Sequence, residues 1–133
     1  YLSEEAAAHG GGEFDIPFDR QGLADYVDIF TEDSVFNADQ SRTYLEKARE
    51  LGFKLRIHAD EIEAIGGSVL AGQMKAVSAE HLIKIDEAGL GSLSEGGVTA
   101  MCLPATSFYL GADCSGQADD RRVPYPRCHG NRF

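Results

Sequence analysis

Apolar and polar positions alternate along Tyr26-Val27-Asp28-Ile29-Phe30, a short β-prone run that predicts the first strand. Asn37 followed by Gln40 has the spacing of a helix N-cap pair, and Tyr44, Leu45, Ala48 and Leu51 then recur at helical intervals until Gly52. This predicts a helix from about 38 to 51, with Gly52 as the residue after its C-terminal cap. Phe53, Leu55 and Ile57 alternate with Lys54, Arg56 and His58, so a strand over 53 to 58 turns an apolar row one way and a polar row the other. Strand, helix and strand in close succession form a unit that requires parallel strands and a right-handed crossover.

The pattern repeats with less definition. Ile62, Ile65, Val69 and Met74 fall on one side of a predicted second helix, weakened or kinked by Gly66-Gly67. A third strand is expected over Ala76 to Ile83. A poorer helix follows on Ile85, Ala88, Leu90 and Leu93, with Gly89 and Gly91 inside it, and a fourth strand over Val98 to Leu103 ends at Pro104. Four strands alternating with three helices make an α/β fold, either about half of a (β/α)8 TIM-type barrel or a small doubly wound sheet. Residues 1–20 read as irregular, because His9-Gly10-Gly11-Gly12 and Pro17 interrupt any helix begun at Glu4. From Gly111 to Phe133 no periodic apolar pattern survives. The domain reading is therefore an irregular N-terminal segment, a partial barrel over 21–110 and an irregular tail over 111–133.

Length sharpens the barrel reading. The chain has 133 residues, whereas a closed eight-stranded α/β barrel takes roughly 250. A net charge of -10 and a pI near 4.7, with no basic patch, exclude a role resting on phosphate-backbone neutralisation and suit a soluble protein acting on a small molecule. Cys102, Cys114 and Cys128 form no C-x-x-C pair, so they read as reduced thiols and point to the cytoplasm. No apolar stretch approaches the ~20 residues of a membrane span, and no charged start leads into an apolar leader.

The chemistry concentrates in Lys54-Leu55-Arg56-Ile57-His58-Ala59-Asp60-Glu61 and in Ala79-Glu80-His81-Leu82. In a parallel strand covered by a helix, His58 points away from the helix layer at the strand's C-terminal end, where barrel enzymes keep their reacting groups. Glu61, three positions on, is expected in the first turn of the next helix, facing the same crevice. His81 lies 23 positions after His58, one β/α unit later, and approaches from the neighbouring strand. An imidazole of this kind can bind zinc or iron, a carboxylate can relay a proton, and a second imidazole can transfer protons or orient a carbonyl. The residue types leave plainer roles open: a solvated histidine on a polar strand face, and a glutamate at a helix start serving the macrodipole. His9 and His129 have no recognisable element around them and take no role.

Gly22-Leu23-Ala24 leading into Val27-Asp28-Ile29-Phe30, then Gln40-Ser41-Arg42, Leu45 and Glu50-Leu51-Gly52-Phe53-Lys54-Leu55 into Ile57-His58-Ala59-Asp60-Glu61 resemble the middle of the imidazolonepropionase family of amidohydrolases. Gly66-Gly67, Ala79-Glu80-His81-Leu82 and Leu103-Pro104-Ala105-Thr106-Ser107-Phe108 continue the resemblance in order over about two-thirds of the chain. The resemblance implies a metal-dependent hydrolase that opens imidazolone propionate to formiminoglutamate in histidine degradation; the sequence leaves open whether the parent enzyme is a homodimer. It implies that His58 binds one zinc or iron ion, that Glu61 contacts substrate and helps activate water, and that His81 assists hydrolysis. The family's His-x-His pair and its Ala-Thr-Asp-Phe metal segment are absent, so the metal site is incomplete and the separate chain is expected to be an inactive fragment. Codons for His129-Gly130-Asn131-Arg132-Phe133, read one nucleotide later, can spell that missing segment, and Asp119 to Arg122 can spell Met-Ile-Asp-Ala. A frameshifted tail is the expectation, although the spacing between the two recovered pieces is about one residue too long. The rival readings are another amidohydrolase, such as a nucleobase deaminase or a dihydroorotase-like enzyme, and a small non-enzymatic α/β binding module.

Overall fold

The computed structural model describes residues 24–111. The irregular segment 1–20, the tail after 111 with its frameshift reading, and His9, His129, Cys114 and Cys128 lie outside the described residues.

The order is strand β1 (Tyr26–Thr31), helix α1 (Ala38–Glu50), β2 (Lys54–Ala59), α2 (Gly67–Gln73), β3 (Ser78–His81), α3 (Glu87–Gly96), β4 (Thr99–Met101) and α4 (Pro104–Tyr109). Helix α1 starts where the sequence says, because Asn37 and Gln40 cap each other. The Gln40 amide donates to Asn37 Oδ1 at 2.9 Å, and the Asn37 amide donates to Gln40 Oε1 at 3.0 Å. It stops at Leu51, and Gly52 takes the positive φ of 90° that frees the chain to turn into β2. Helix α3 is capped by Asp86, which accepts from the Gly89 amide at 2.7 Å.

All four strands are parallel and stand in chain order β1-β2-β3-β4. A doubly wound sheet reverses its strand order at a switch point; no reversal occurs among the described strands, and the sequential order is compatible with part of a barrel. One row of each strand feeds a single core. Val27 and Ile29, then Leu55, Ile57 and Ala59, pack with Leu45 and Ala48 of α1, Leu70 and Ala71 of α2 and Leu93 of α3. Burial of each Leu or Ile contributes roughly 1.5–3 kcal/mol.

Several sequence expectations change. Residues 62–66 are bends rather than helix, and α2 begins only at Gly67. The glycines do not merely weaken helices. A Cβ on Gly67 would lie 2.7 Å from Ala59 Cβ, and one on Gly96 would lie 2.4 Å from the Gly72 carbonyl oxygen, so glycine lets α2 approach β2 and α3. The third and fourth strands are shorter than predicted, because Leu82 at φ 57° ends one and Pro104 starts a fourth helix, α4, that apolar spacing did not reveal. No helix among the described residues is long and apolar enough to cross a membrane.

Candidate functional site

The row facing away from the helices is mostly polar, with Phe30 and Met101 as apolar members, and strand register assembles it into layers. Asp28 stands beside Arg56, which stands beside Ser78; one layer on, Phe30 stands beside His58, which stands beside Glu80. Parity alone pairs His58 with Glu80, and it would send His81 to the helix side with Ala79. Instead the backbone turns left-handed at His81 (φ 71°) and Leu82 (φ 57°), and the His81 ring meets His58. Non-glycine residues in this region each cost about 1–3 kcal/mol, and such strain gathers at sites where geometry serves a function.

Side chains from four segments then form a line. His58 Nε2 lies 2.9 Å from Asp28 Oδ2, His58 Nδ1 lies 2.9 Å from His81 Nε2, and His81 Nδ1 lies 3.4 Å from Glu61 Oε1. Phe30 covers both rings, with its centroid 6.1 Å from that of His58 and 6.5 Å from that of His81. An ionised Asp28 can only accept, so His58 Nε2 donates to it; with both rings neutral, His58 Nδ1 then accepts from His81 Nε2–H. This leaves His81 Nδ1 unprotonated and without a hydrogen bond, facing Glu61 through space. The hydrogen bond to Asp28 raises the pKa of His58 above its ordinary value, against the opposing effect of burial. Burial lowers that of His81, with the Glu61 charge opposing.

Glu80 occupies the floor of this cluster. Its Oε1 accepts from Arg56 Nε at 3.1 Å, from Arg56 Nη2 at 2.7 Å and from Ser78 Oγ at 2.7 Å, while its Oε2 is buried with no partner among the described residues. Among the described residues, Asp28, His58 and Glu80 offer three ligand atoms within 4.8 Å of one another. One imidazole nitrogen and two carboxylates, one of them carrying an unpartnered buried oxygen, have donor chemistry suited to a metal ion, so the residues present fit part of such a site. To serve as a ligand through Nε2, His58 must give up Asp28, and Glu80 is already committed to Arg56 through its other oxygen.

The three residues expected from sequence thus converge, by a different route for two of them. Glu61 is not in the first turn of a helix; it precedes α2 in the 60–66 bend and reaches the cluster from there, with a side chain only 12 % exposed. His81 arrives through a left-handed turn rather than by strand parity. Asp28, Arg56 and Glu80 were not singled out in the sequence. Their signal is the alternation that exposes His58: Arg56 shares its row with Lys54 and His58, Glu80 shares its row with Ser78, and Asp28 is the polar position between buried Val27 and Ile29.

An α/β protein with a cluster of histidines and carboxylates toward the C-terminal ends of parallel strands is the class that this fold and site define. The chain is 53 % identical over 91 residues to an imidazolonepropionase of Bacillus velezensis, 53 % over 90 residues to one of Fusobacterium nucleatum, and 54 % over 93 residues to one of Streptococcus pyogenes. These matches cover 68–70 % of the chain, and the chain spans 22 % of the length of each relative. By sequence it is a fragment resembling imidazolonepropionase. No family model matches it.

Proposed function

We propose that this chain is about half of a (β/α)8 amidohydrolase barrel, spanning 21–110, from an enzyme that hydrolyses the ring of imidazolone propionate to formiminoglutamate in the cytoplasm. The observation that carries the reading is the 53 % identity over 91 residues to a protein named for that reaction. The convergence of His58, His81 and Glu61 supports it.

His58 is the ligand we assign to the ion, with Asp28 and Glu80 beside it. When bound, zinc or iron supplies Lewis acidity, lowering the pKa of water and polarising a carbonyl. Glu61 takes the proton from the attacking water and contacts the substrate; its neighbour His81, kept neutral by burial, accepts or returns a proton at the cleaved C–N bond. Phe30 shields the imidazoles on one side. A catalytic zinc normally takes three protein ligands and keeps one open position, and here the two carboxylates are held by His58 and Arg56. The site is therefore incomplete in this chain, and the rest of the whole enzyme's polypeptide supplies the remaining ligands and the remaining barrel.

Two assays test this. The purified 133-residue chain should open no imidazolone ring and bind zinc weakly; tight stoichiometric zinc would contradict the incomplete site. The enzyme that contains this segment should prefer imidazolone propionate to dihydroorotate or nucleobases, and lose roughly 10²–10⁴-fold in kcat on His81→Ala. Preference for another cyclic amide would reassign the reaction.

A further inference from the structure

Glu32 follows the last residue of β1 and is 1 % exposed, yet it forms no ion pair with a positively charged side chain among the described residues. Its partners are backbone amides. Oε1 accepts from Glu61 at 2.8 Å, from Ile62 at 2.8 Å and from Glu63 at 3.4 Å, while Oε2 accepts from Glu63 at 3.1 Å and from Asp33 at 3.2 Å. Three successive N–H groups of the bend after β2 thus form a concavity of the kind that binds anions, and the Glu32 carboxylate fills it.

Both sides of this contact are fixed beforehand. The Glu32 amide donates to the Phe36 carbonyl at 3.1 Å and its own carbonyl accepts from Val35 at 3.1 Å, in a tight turn with Ser34 at φ 62°. Thr31 and Ala59 are register partners, so Glu32 and Asp60 leave the sheet side by side. Asp60 then takes φ 53°, which swings the following amides toward Glu32. The bend has no helix to hold it, because α2 starts only at Gly67. The carboxylate stands in for that missing order.

We infer that Glu32 is a positioning residue that holds the backbone of Glu61 so that its carboxylate faces His81. This rests on the reading of Glu61 as a catalytic group. A carboxylate is required rather than an amide: glutamine at position 32 would keep one acceptor oxygen and turn an NH2 donor toward the amides of the bend. Aspartate would keep the charge but retract it by one methylene, out of reach of the full set.

The test uses the 133-residue chain and its Glu32→Gln and Glu32→Asp variants, followed by amide hydrogen exchange and by the NMR cross-relaxation contact between the Glu61 side chain and the His81 ring. Exchange at Glu61, Ile62 and Glu63 should accelerate roughly tenfold to a hundredfold. The Glu61–His81 contact should vanish, while Ile57, Ala59 and Ala79 exchange as before. Unchanged exchange at 61–63 with the contact retained would overturn the inference. So would equal acceleration at the strand amides in both variants, which would make Glu32 a support of the whole fold; if Glu32→Gln does not fold, the aspartate variant decides between these outcomes. Neither readout involves substrate, so a different reaction for the whole enzyme would leave them unmoved, and their failure would leave the proposed reaction standing.

Discussion

The two faces of the sheet are built on opposite principles. The helix side is closed: Ile57, Leu45, Leu70 and Leu93 are at most 1 % exposed, and the glycines of α2 and α3 bring the helices within backbone contact. The other side is a layered array of Asp28, Arg56, His58 and Glu80, half-open to solvent and joined by hydrogen bonds that leave Glu80 Oε2 without a partner among the described residues. Burial of apolar area stabilises the first face. The second holds charges in fixed geometry, and desolvating such pairs consumes much of what their attraction returns. The contrast implies that stability resides on one face and chemistry on the other.

The largest effect should come from the closed face. Leu45→Ala removes a fully buried side chain from the junction of α1 with β1 and β2 and should cost about 2–5 kcal/mol. The measurement is the shift of the urea midpoint, at unchanged slope. A loss below 1 kcal/mol, on the order of a surface substitution, would mean that the core is loosely packed and that the contrast is weaker than the burial pattern implies.

This face was the legible part of the sequence. Alternation in 26–30 and 53–58, the Asn37–Gln40 cap and the Leu45–Ala48 spacing are local signals, and each element formed where its local signal was strong. Signals failed where partners distant in sequence decide. Residues 60–66 carry apolar positions at helical spacing, but the bend is fixed by Glu32, nearly thirty residues away, and by Gly67 against Ala59. Of the cluster, His58 followed from strand parity. His81 reaches it only through a left-handed backbone that no local residue type announces, and Glu80, which parity does place beside His58, carries no local mark that separates it from a surface glutamate. The assignment of zinc or iron and the substrate came from the resemblance, since one imidazole among carboxylates suits several reactions.

An intermediate effect is expected on the open face from Arg56→Ala. Glu80 would remain buried, its side chain 3 % exposed, with Ser78 as its remaining hydrogen-bond partner among the described residues. The expected loss is about 1–3 kcal/mol, moderated because the side chain of Arg56 is 37 % exposed and water can follow it out. Replacing both partners with apolar residues of similar size, Arg56→Met with Glu80→Leu, should restore most of that loss. If the double variant is instead worse than the single one by thermal midpoint, the Arg56–Glu80 pair stabilises the fold in its own right, and the division of labour between the faces fails.

The smallest effect is a pH dependence from Asp28. Because the hydrogen bond to Asp28 raises the folded-state pKa of His58 above 6.5, the imidazolium form is favoured in the folded chain. Its contribution is fully present below the unfolded pKa and is lost as pH rises through the folded value. His81 runs the other way: burial lowers its folded pKa, so its contribution is present above the unfolded pKa and is lost as pH falls through the folded value. Total stability therefore mixes two opposing slopes, whereas the difference between the chain and Asp28→Asn isolates the first. That difference should stay below about 1 kcal/mol for a pair this exposed, and it should shrink as pH is raised from about 5 to 8, the range in which histidine changes charge. Denaturant midpoints at matched ionic strength measure it. A difference that stays flat would mean that His58 is neutral throughout, already in the form a metal ligand requires, and would place the line from Asp28 to Glu61 nearer to a preformed metal-binding arrangement than to a charge pair.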